Sequence, residues 1–178
     1  MSYYKRQKKM KKFTVLFLIF AAAICSVEGC ASMRMTSAEK AAKAEKIASQ
    51  VRDSLSSWSF TIEADRMYPG RGAARSISSG YQVTVRDYDF NSHLPYFGEA
   101  WRVPYDGGHG LTFKSKIIDR SMTQVSPDSY EIKIALRDSE DDYLYTITVF
   151  DNGNANILVN CRNRESIRFS GNIKLPYD

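Results

Sequence analysis

The spacing of apolar residues changes at about residue 58. Before that point apolar residues recur at intervals of three and four, at Ala41, Ala44, Ile47, Val51 and Leu55. This spacing places them on one side of a helix. Thr36 and Glu39 have the spacing of a capping box, so we predict a helix over residues 37–57. Its apolar stripe is thin and rich in alanine, so the helix needs a sheet or a partner to stabilise it.

After residue 58 apolar and polar positions alternate with a period of two, which is typical of strands. The pattern begins at Trp58, Phe60, Ile62 and Ala64, and it returns over residues 81–85, 132–136, 143–149 and 165–175, where Gly171 marks a bulge or bend. Turn residues occupy 126–129, 138–142 and 151–154. Within the last of these, Asn152-Gly153 favours a type I′ hairpin turn with positive φ at both residues.

Short turns between consecutive strands require antiparallel pairing. The predicted fold class is therefore mainly β (α+β). We expect an antiparallel meander of about seven to nine strands, with one N-terminal helix packed against it. The pattern leaves open whether the sheet closes into a barrel, folds into a sandwich or stays open.

The first thirty residues have the layout of an export signal. A basic stretch, residues 5–12, precedes an apolar run, residues 13–24, and then Val27-Glu28-Gly29-Cys30. The run is too short to span a bilayer, which takes about 20 apolar residues. We assign residues 1–29 to a signal peptide, 30–36 to a tether and 37–178 to a single domain.

The residues around Cys30 resemble the lipobox of bacterial lipoproteins. Val27, Gly29 and Cys30 match it, and Glu28 departs from it. The resemblance implies lipid attachment, a palmitate-type modification, at Cys30; ordinary cleavage near Gly29 is the alternative. Because Ala31 and Ser32 resemble residues that permit transfer to an outer membrane, we expect the protein to be anchored in that membrane and to face the periplasm.

Charge excludes one class of partner. Residues 1–29 hold six of the 25 basic residues and one of the 20 acidic residues, so the remainder is formally neutral. The basic character belongs to the signal peptide, and the predicted mature protein offers no overall charge for binding nucleic acid.

The least generic part of the chain lies between residues 94 and 113. It contains Leu94-Pro95-Tyr96-Phe97-Gly98-Glu99-Ala100 and then Pro104-Tyr105-Asp106-Gly107-Gly108-His109-Gly110-Leu111-Thr112-Phe113. Together with residues 67–69 and 166–171, it resembles the domain of unknown function 4251 family of exported Bacteroidetes proteins, over roughly residues 35–176. The resemblance implies an envelope protein with a helix and a β-rich domain. It brings no activity, cofactor or catalytic residue.

Residue types that could support catalysis lack the necessary spacing. Residues 107–110 would suit a phosphate loop only if a helix followed, but residues 111–113 indicate a strand. His93 and His109 would have to converge with Glu99, Asp106 or Asp119 to bind a metal, and their spacing matches no metal motif.

Three further groups have structural interpretations. Cys161 follows an apolar run and is interpreted as a packing residue. The acidic residues 138–142 are interpreted as a solvated turn and not a calcium site. Arg162, Arg164 and Arg168 are interpreted as salt-bridging residues on a sheet face. We therefore predict no catalytic residue, metal or cofactor, and a protein that is not an enzyme.

The functional hypothesis is a membrane-anchored binding or scaffolding domain that binds an unidentified envelope protein through an aromatic surface or cavity near Tyr96, Phe97, Trp101 and Tyr105. The alternative for each of these aromatic side chains is a place in the core. One alternative is a carrier that holds a small apolar ligand in a barrel cavity. Another is an envelope hydrolase built on His93 or His109.

Overall fold

The computed structural model describes residues 36–101, 110–138 and 141–175, which form one helix and nine strands. They are α1 (Ser37–Ser56), β1 (Ser59–Tyr68), β2 (Arg75–Ser76), β3 (Gln82–Arg86), β4 (Asp89–Leu94), β5 (Leu111–Ser126), β6 (Ser129–Arg137), β7 (Asp142–Phe150), β8 (Asn154–Cys161) and β9 (Ile167–Ile173). The predicted helix and antiparallel meander are confirmed. The described residues from Ala41 onward form one unit, and those up to Lys40 belong to another. Among the described residues, no helix is both long enough and apolar enough to cross a membrane.

Strand β1 closes the sheet into a barrel. Its first half, residues 59–63, pairs with β3, and its second half pairs with β9 from Ile62 to Tyr68. Eight strands therefore form a closed antiparallel barrel, and β2 adds a short ninth strand beside β1. The bulge lies in β1, between Ala64 and Arg66. A side chain at Gly171, on the facing part of β9, would overlap the carbonyl group of Glu63, so only glycine fits there.

Helix α1 begins with the predicted capping box. The Thr36 amide donates to Glu39 Oε2 over 2.7 Å, and the Glu39 amide donates to Thr36 Oγ1 over 3.3 Å. The buried stripe is shorter than predicted, because Ala48, Val51 and Leu55 are its buried residues and every residue from 36 to 46 is exposed.

The strand pattern needs two other corrections. Trp58 has a left-handed φ of 51° directly after the helix, so β1 begins at Ser59. In the β7–β8 hairpin Gly153 has positive φ but Asn152 does not, so the turn is not type I′. The predicted hairpin exists, and its loop has three residues instead of two.

The barrel interior near the start of β7 is filled by aromatic rings. Tyr143 stacks on Phe113 with centroids 4.5 Å apart, and Tyr145 meets Phe90 edge-on at 4.8 Å. The Tyr145 hydroxyl is buried and bonds to Ser92 Oγ over 3.0 Å. Burial raises the pKa of Tyr143 and Tyr145 above the ordinary tyrosine value. Burial also raises the pKa of Cys161, to about 12.

These shifts predict loss of stability in alkali. The folded protein retains protons on Tyr143, Tyr145 and Cys161 at pH values where the unfolded chain releases them. These three groups therefore stabilise the fold fully at pH values below the pKa values that they have in the unfolded chain. Above about pH 9 the free energy of unfolding should fall, by up to about 1.4 kcal/mol per pH unit for each group. Urea titrations from pH 7 to 11 measure this slope.

Tyr145→Phe removes one titrating group, so its free energy of unfolding should fall less steeply with pH in alkali. The substitution also removes the hydrogen bond to Ser92. The non-titrating core substitution Ile157→Val is the control, and should lower stability by about 1 kcal/mol at every pH. Equal alkaline slopes for Tyr145→Phe and the parent chain would contradict the prediction.

Candidate functional site at the barrel mouth

One end of the barrel, which we call the mouth, carries the segment that the sequence singles out. β4 and β8 end at the mouth, and β5 and β9 begin there. Residues 95–101, the bridging segment, run from the end of β4 to the loop between β8 and β9. Their backbone bonds to that loop: the Trp101 amide donates to Asn163 O over 2.9 Å, and the Glu165 amide donates to Glu99 O over 3.0 Å. Because β4 is not adjacent to β8 or β9, the segment bridges the mouth.

Tyr96 fixes the shape of the bridging segment. Its hydroxyl donates to the carbonyl oxygens of Glu99, at 2.8 Å, and Glu165, at 3.1 Å, while its ring packs against the core. Burial raises the pKa of Tyr96, so the hydroxyl keeps the proton that it donates. A Cβ at Gly98 would lie 2.8 Å from this hydroxyl. The Tyr-Phe-Gly sequence is thus explained locally, because the chain folds back over the tyrosine and a side chain at position 98 would push the hydroxyl away from its two carbonyl partners.

A buried ion pair supports the loop to which the bridging segment bonds. Asp141 and Arg164 have side chains that are 1% and 5% exposed, with Asp141 Oδ2 and Arg164 Nε 3.9 Å apart. Arg164 also donates to Gly110 O over 2.7 Å, at the start of β5. The Asp141 carboxylate accepts hydrogen bonds from the backbone amides of Arg162 and Asn163, both 3.1 Å long. One carboxylate therefore organises the β8–β9 loop.

Two aromatic side chains of the bridging segment face solvent. Phe97 is 47% exposed and Trp101 is 71% exposed. The Arg75 guanidinium lies 4.2 Å from the centre of the Phe97 ring, and Arg71 Nη1 lies 2.6 Å from Glu99 Oε1. Exposed aromatic and arginine side chains on a fixed backbone are typical of residues that dominate protein interfaces.

The predicted binding residues therefore have different environments. Tyr96 is a structural residue, and Phe97 and Trp101 lie on the surface. The sequence did not connect this segment with Arg75, which lies over the Phe97 ring, or with Arg71, which pairs with Glu99. Tyr105 lies outside the described residues, as do Asp106, residues 107–109 and the N-terminal residues 1–35, including Cys30. Gly70, in the β1–β2 loop, and Gly98, in the bridging segment, both lie close to the Glu165 side chain. These two glycines are the feature of the sequence that could have connected the loop with this site.

The sequence predicted that the whole acidic turn is solvated. This is wrong for Asp141, which is buried. Its backbone partners compensate for its loss of hydration, a role that sequence spacing did not reveal.

The interpretation of the arginines as salt-bridging surface residues holds for Arg162, which pairs with Asp142 at 3.2 Å on the surface. Arg164 also forms an ion pair, with Asp141, but the pair is buried and does not lie on an exposed sheet face. Cys161 packs against the core, as predicted.

The described residues of the hydrolase hypothesis lie apart. His93 is on the outer face of β4, where it stacks on Tyr81 with centroids 5.2 Å apart and lies 3.2 Å from Thr112 Oγ1. Glu99 is in the bridging segment and Asp119 is in the exposed second half of β5. The raised pKa of Cys161 leaves little thiolate at neutral pH, so this thiol is a poor nucleophile.

The carrier hypothesis requires interior space. Aromatic rings fill the barrel near the mouth, whereas a depression of about 590 Å³ lies on the outer faces of β3, β4 and β5. Polar side chains, including Gln82, Asn91 and Lys114, contribute to its lining. This depression does not suit an apolar ligand.

Over the part of the chain that the structure describes, these features define a class of protein: a closed eight-stranded antiparallel β-barrel preceded by one helix and bridged at one mouth by a clamped segment. The model of the family described as "Domain of unknown function (DUF4251)" matches residues 41–173. The chain belongs to this family, and the resemblance noted from the sequence is confirmed.

A solved structure supports the same fold. A DUF4251 family protein from Bacteroides eggerthii is similar over 73% of this chain and 88% of its own, with a TM-score of 0.57 and 15% identity. None of the curated proteins compared with the chain matches it.

Removing the buried carboxylate tests whether it supports the mouth. Asp141→Ala would remove the carboxylate that pairs with the buried Arg164 and accepts from the backbone amides of Arg162 and Asn163, and should cost about 3–5 kcal/mol in the free energy of unfolding. Asp142→Ala is the matched control, because this neighbour pairs with Arg137 and Arg162 on the surface and should cost at most about 1 kcal/mol. Denaturant titration measures both, and equal costs would contradict the assignment.

Proposed function

We propose that this protein is a lipid-anchored, non-enzymatic binding protein of the bacterial envelope, which docks its barrel mouth on another envelope protein. The observation that carries the proposal is the exposure of Phe97 and Trp101 on a backbone clamped by Tyr96 and the β8–β9 loop. A rigid aromatic surface loses little conformational entropy on binding. The partner is therefore a protein with an apolar recess that accepts Trp101.

The anchoring part of the proposal rests on the signal layout before Cys30. A single acyl chain gives only marginal membrane binding, so stable anchoring takes a second signal. The residues around Cys30 resemble the lipobox of bacterial lipoproteins, which carry a diacylglyceryl group at the lipobox cysteine. Such a group at Cys30 would supply two acyl chains. The proposed location is the outer membrane, with the domain in the periplasm.

Replacement of Cys30 tests the anchor. In cells fed a clickable palmitate analogue, the parent chain should be labelled and should sediment with the envelope membranes. Cys30→Ala should lose the label and move to the soluble fraction, whereas Cys161→Ala, at a cysteine beside the core, should keep both properties. A labelled, membrane-bound Cys30→Ala protein would exclude this cysteine as the attachment site.

Photo-crosslinking in cells tests the docking surface. A photoreactive amino acid at Trp101 should yield a discrete crosslinked protein, and the same group at Leu144, 40% exposed on β7, should not. The additional substitution Phe97→Ala should reduce that crosslink about tenfold or more, since buried aromatic anchors contribute 2 kcal/mol or more. Phe97→Ala should leave thermal stability nearly unchanged because the ring is exposed.

The same crosslinked species from positions 101 and 144, or a crosslink insensitive to Phe97→Ala, would contradict docking through the mouth. Loss of the crosslink together with loss of folding would point instead to a structural role for Phe97. Circular dichroism of each variant separates these results.

A further inference from the structure

The depression on the outer wall of the barrel, where β3, β4 and β5 run side by side, has a volume of about 590 Å³. We call it the wall depression. Strand pairing arranges its polar side chains in two rows that cross the three strands. The first row is Thr84, Asn91 and Lys114, and the second row is Arg86, Asp89 and Lys116. Opposite residues share a sheet face, so both rows lie on the outside of the barrel.

A half-buried amide lies in the middle of the wall depression. Asn91 has no side-chain hydrogen bond to any other described residue. Beside it, Thr84 Oγ1 shares a hydrogen bond with Thr61 Oγ1 over 3.2 Å. Gln82, also in the lining, accepts at Oε1 from Lys174 Nζ over 3.4 Å, which leaves its NH₂ group to donate. Carboxamides both donate and accept, as hydroxyls do, so these side chains complement a ligand rich in hydroxyl groups.

Cations lie on both sides of this amide. Neither Arg86 nor Lys114 has an ion pair or a side-chain hydrogen bond with another described residue. The carboxylate in the lining is already paired, because Asp89 Oδ1 lies 2.5 Å from Lys116 Nζ. The described lining therefore carries three positive side chains and one negative side chain. An anionic group would find two cations that are not committed to other partners.

The backbone around the wall depression offers little to a ligand. Strand β3 is paired by β1 and β4, and β4 is paired by β3 and β5. A peptide that binds by strand addition needs an open edge, and neither strand provides one here. The apolar residue of the lining, Phe90, is 2% exposed and packs on Tyr145 inside the barrel. Recognition at this site therefore depends on polar and charged side chains.

We infer that the wall depression binds an acidic saccharide, that is, a sugar that carries a carboxylate or a phosphate. The hydroxyl groups of the sugar bond to Asn91, Gln82 and Thr84, and its acidic group is bound by the long side chains of Arg86 and Lys114. These two cations lie two strands apart, about 10 Å. The volume is within the range of about 300–1,000 Å³ that is typical of small-molecule sites. The site is on the wall, so this binding does not depend on docking through the mouth.

Titration of the ¹⁵N-labelled full chain in mild detergent tests the site. The probes are glucuronate and glucose 6-phosphate, and the readout is the side-chain NH₂ signal of Asn91. We expect at least one of these sugars to shift that signal saturably, and the tighter of the two tells a carboxylated ligand from a phosphorylated one. Glucose, which lacks the charge, and inorganic phosphate, which lacks the sugar, should each bind at least about fivefold more weakly.

A pair of lysine substitutions provides the second measurement. Lys114→Gln removes one uncommitted cation from the wall depression and should weaken binding of the tighter sugar about fivefold or more. Lys133→Gln is the matched control, because it removes the same charge from β6, where the lysine pairs with Glu131 at 3.1 Å. Both lysines are exposed, so both variants should fold. The control should leave the dissociation constant within about twofold of the parent value.

Three results would overturn the inference. The first is the absence of a saturable shift at Asn91 with either acidic sugar, or equal weakening by Lys114→Gln and Lys133→Gln. The second is inorganic phosphate binding as tightly as glucose 6-phosphate, because the hydroxyl groups would then contribute nothing. The third is binding of a glutamate-rich peptide in place of both sugars, which would identify an acidic peptide as the ligand.

Discussion

The mouth of this barrel depends on one buried ion pair, between Asp141 and Arg164. Burying both charges is costly unless hydrogen bonds replace their hydration. Here backbone amides of the β8–β9 loop bind the carboxylate, and Gly110 O binds the guanidinium. The pair therefore ties the β6–β7, β8–β9 and β4–β5 connections into one structure. The bridging segment bonds to that loop, so the positions of Phe97 and Trp101 depend on a carboxylate that neither of them contacts.

Barrel closure separates the mouth from the end of the barrel at which β1 begins. The mouth carries aromatic side chains on a clamped loop, which suits recognition of a different protein. The other end carries the second half of β5, beyond the residues that pair with β4. Helix α1 is attached at that second end through β1, and the proposed lipid lies before the helix.

The sequence predicts the parts of the fold that depend on periodicity. Alternation from Phe60 onward predicts strands because each inward residue is apolar, and the capping box marks the start of α1. It does not predict β4, where polar Ser92 is an inward residue that bonds to Tyr145. Nor does it predict the burial of Asp141, since an aspartate in an acidic turn is ordinarily solvated. Aromatic density drew attention to residues 96–101, but only the fold distinguishes the structural Tyr96 from the exposed Trp101.

Hydrogen exchange at the bridging segment tests the central claim most directly. The amides of Trp101 and Glu165 join this segment to the β8–β9 loop. If the buried ion pair holds the mouth rigid, both amides should exchange as slowly as neighbouring strand amides in the parent chain and much faster in Asp141→Asn. Rapid exchange of both amides in the parent chain would contradict the account, since the aromatic surface would then belong to a flexible loop.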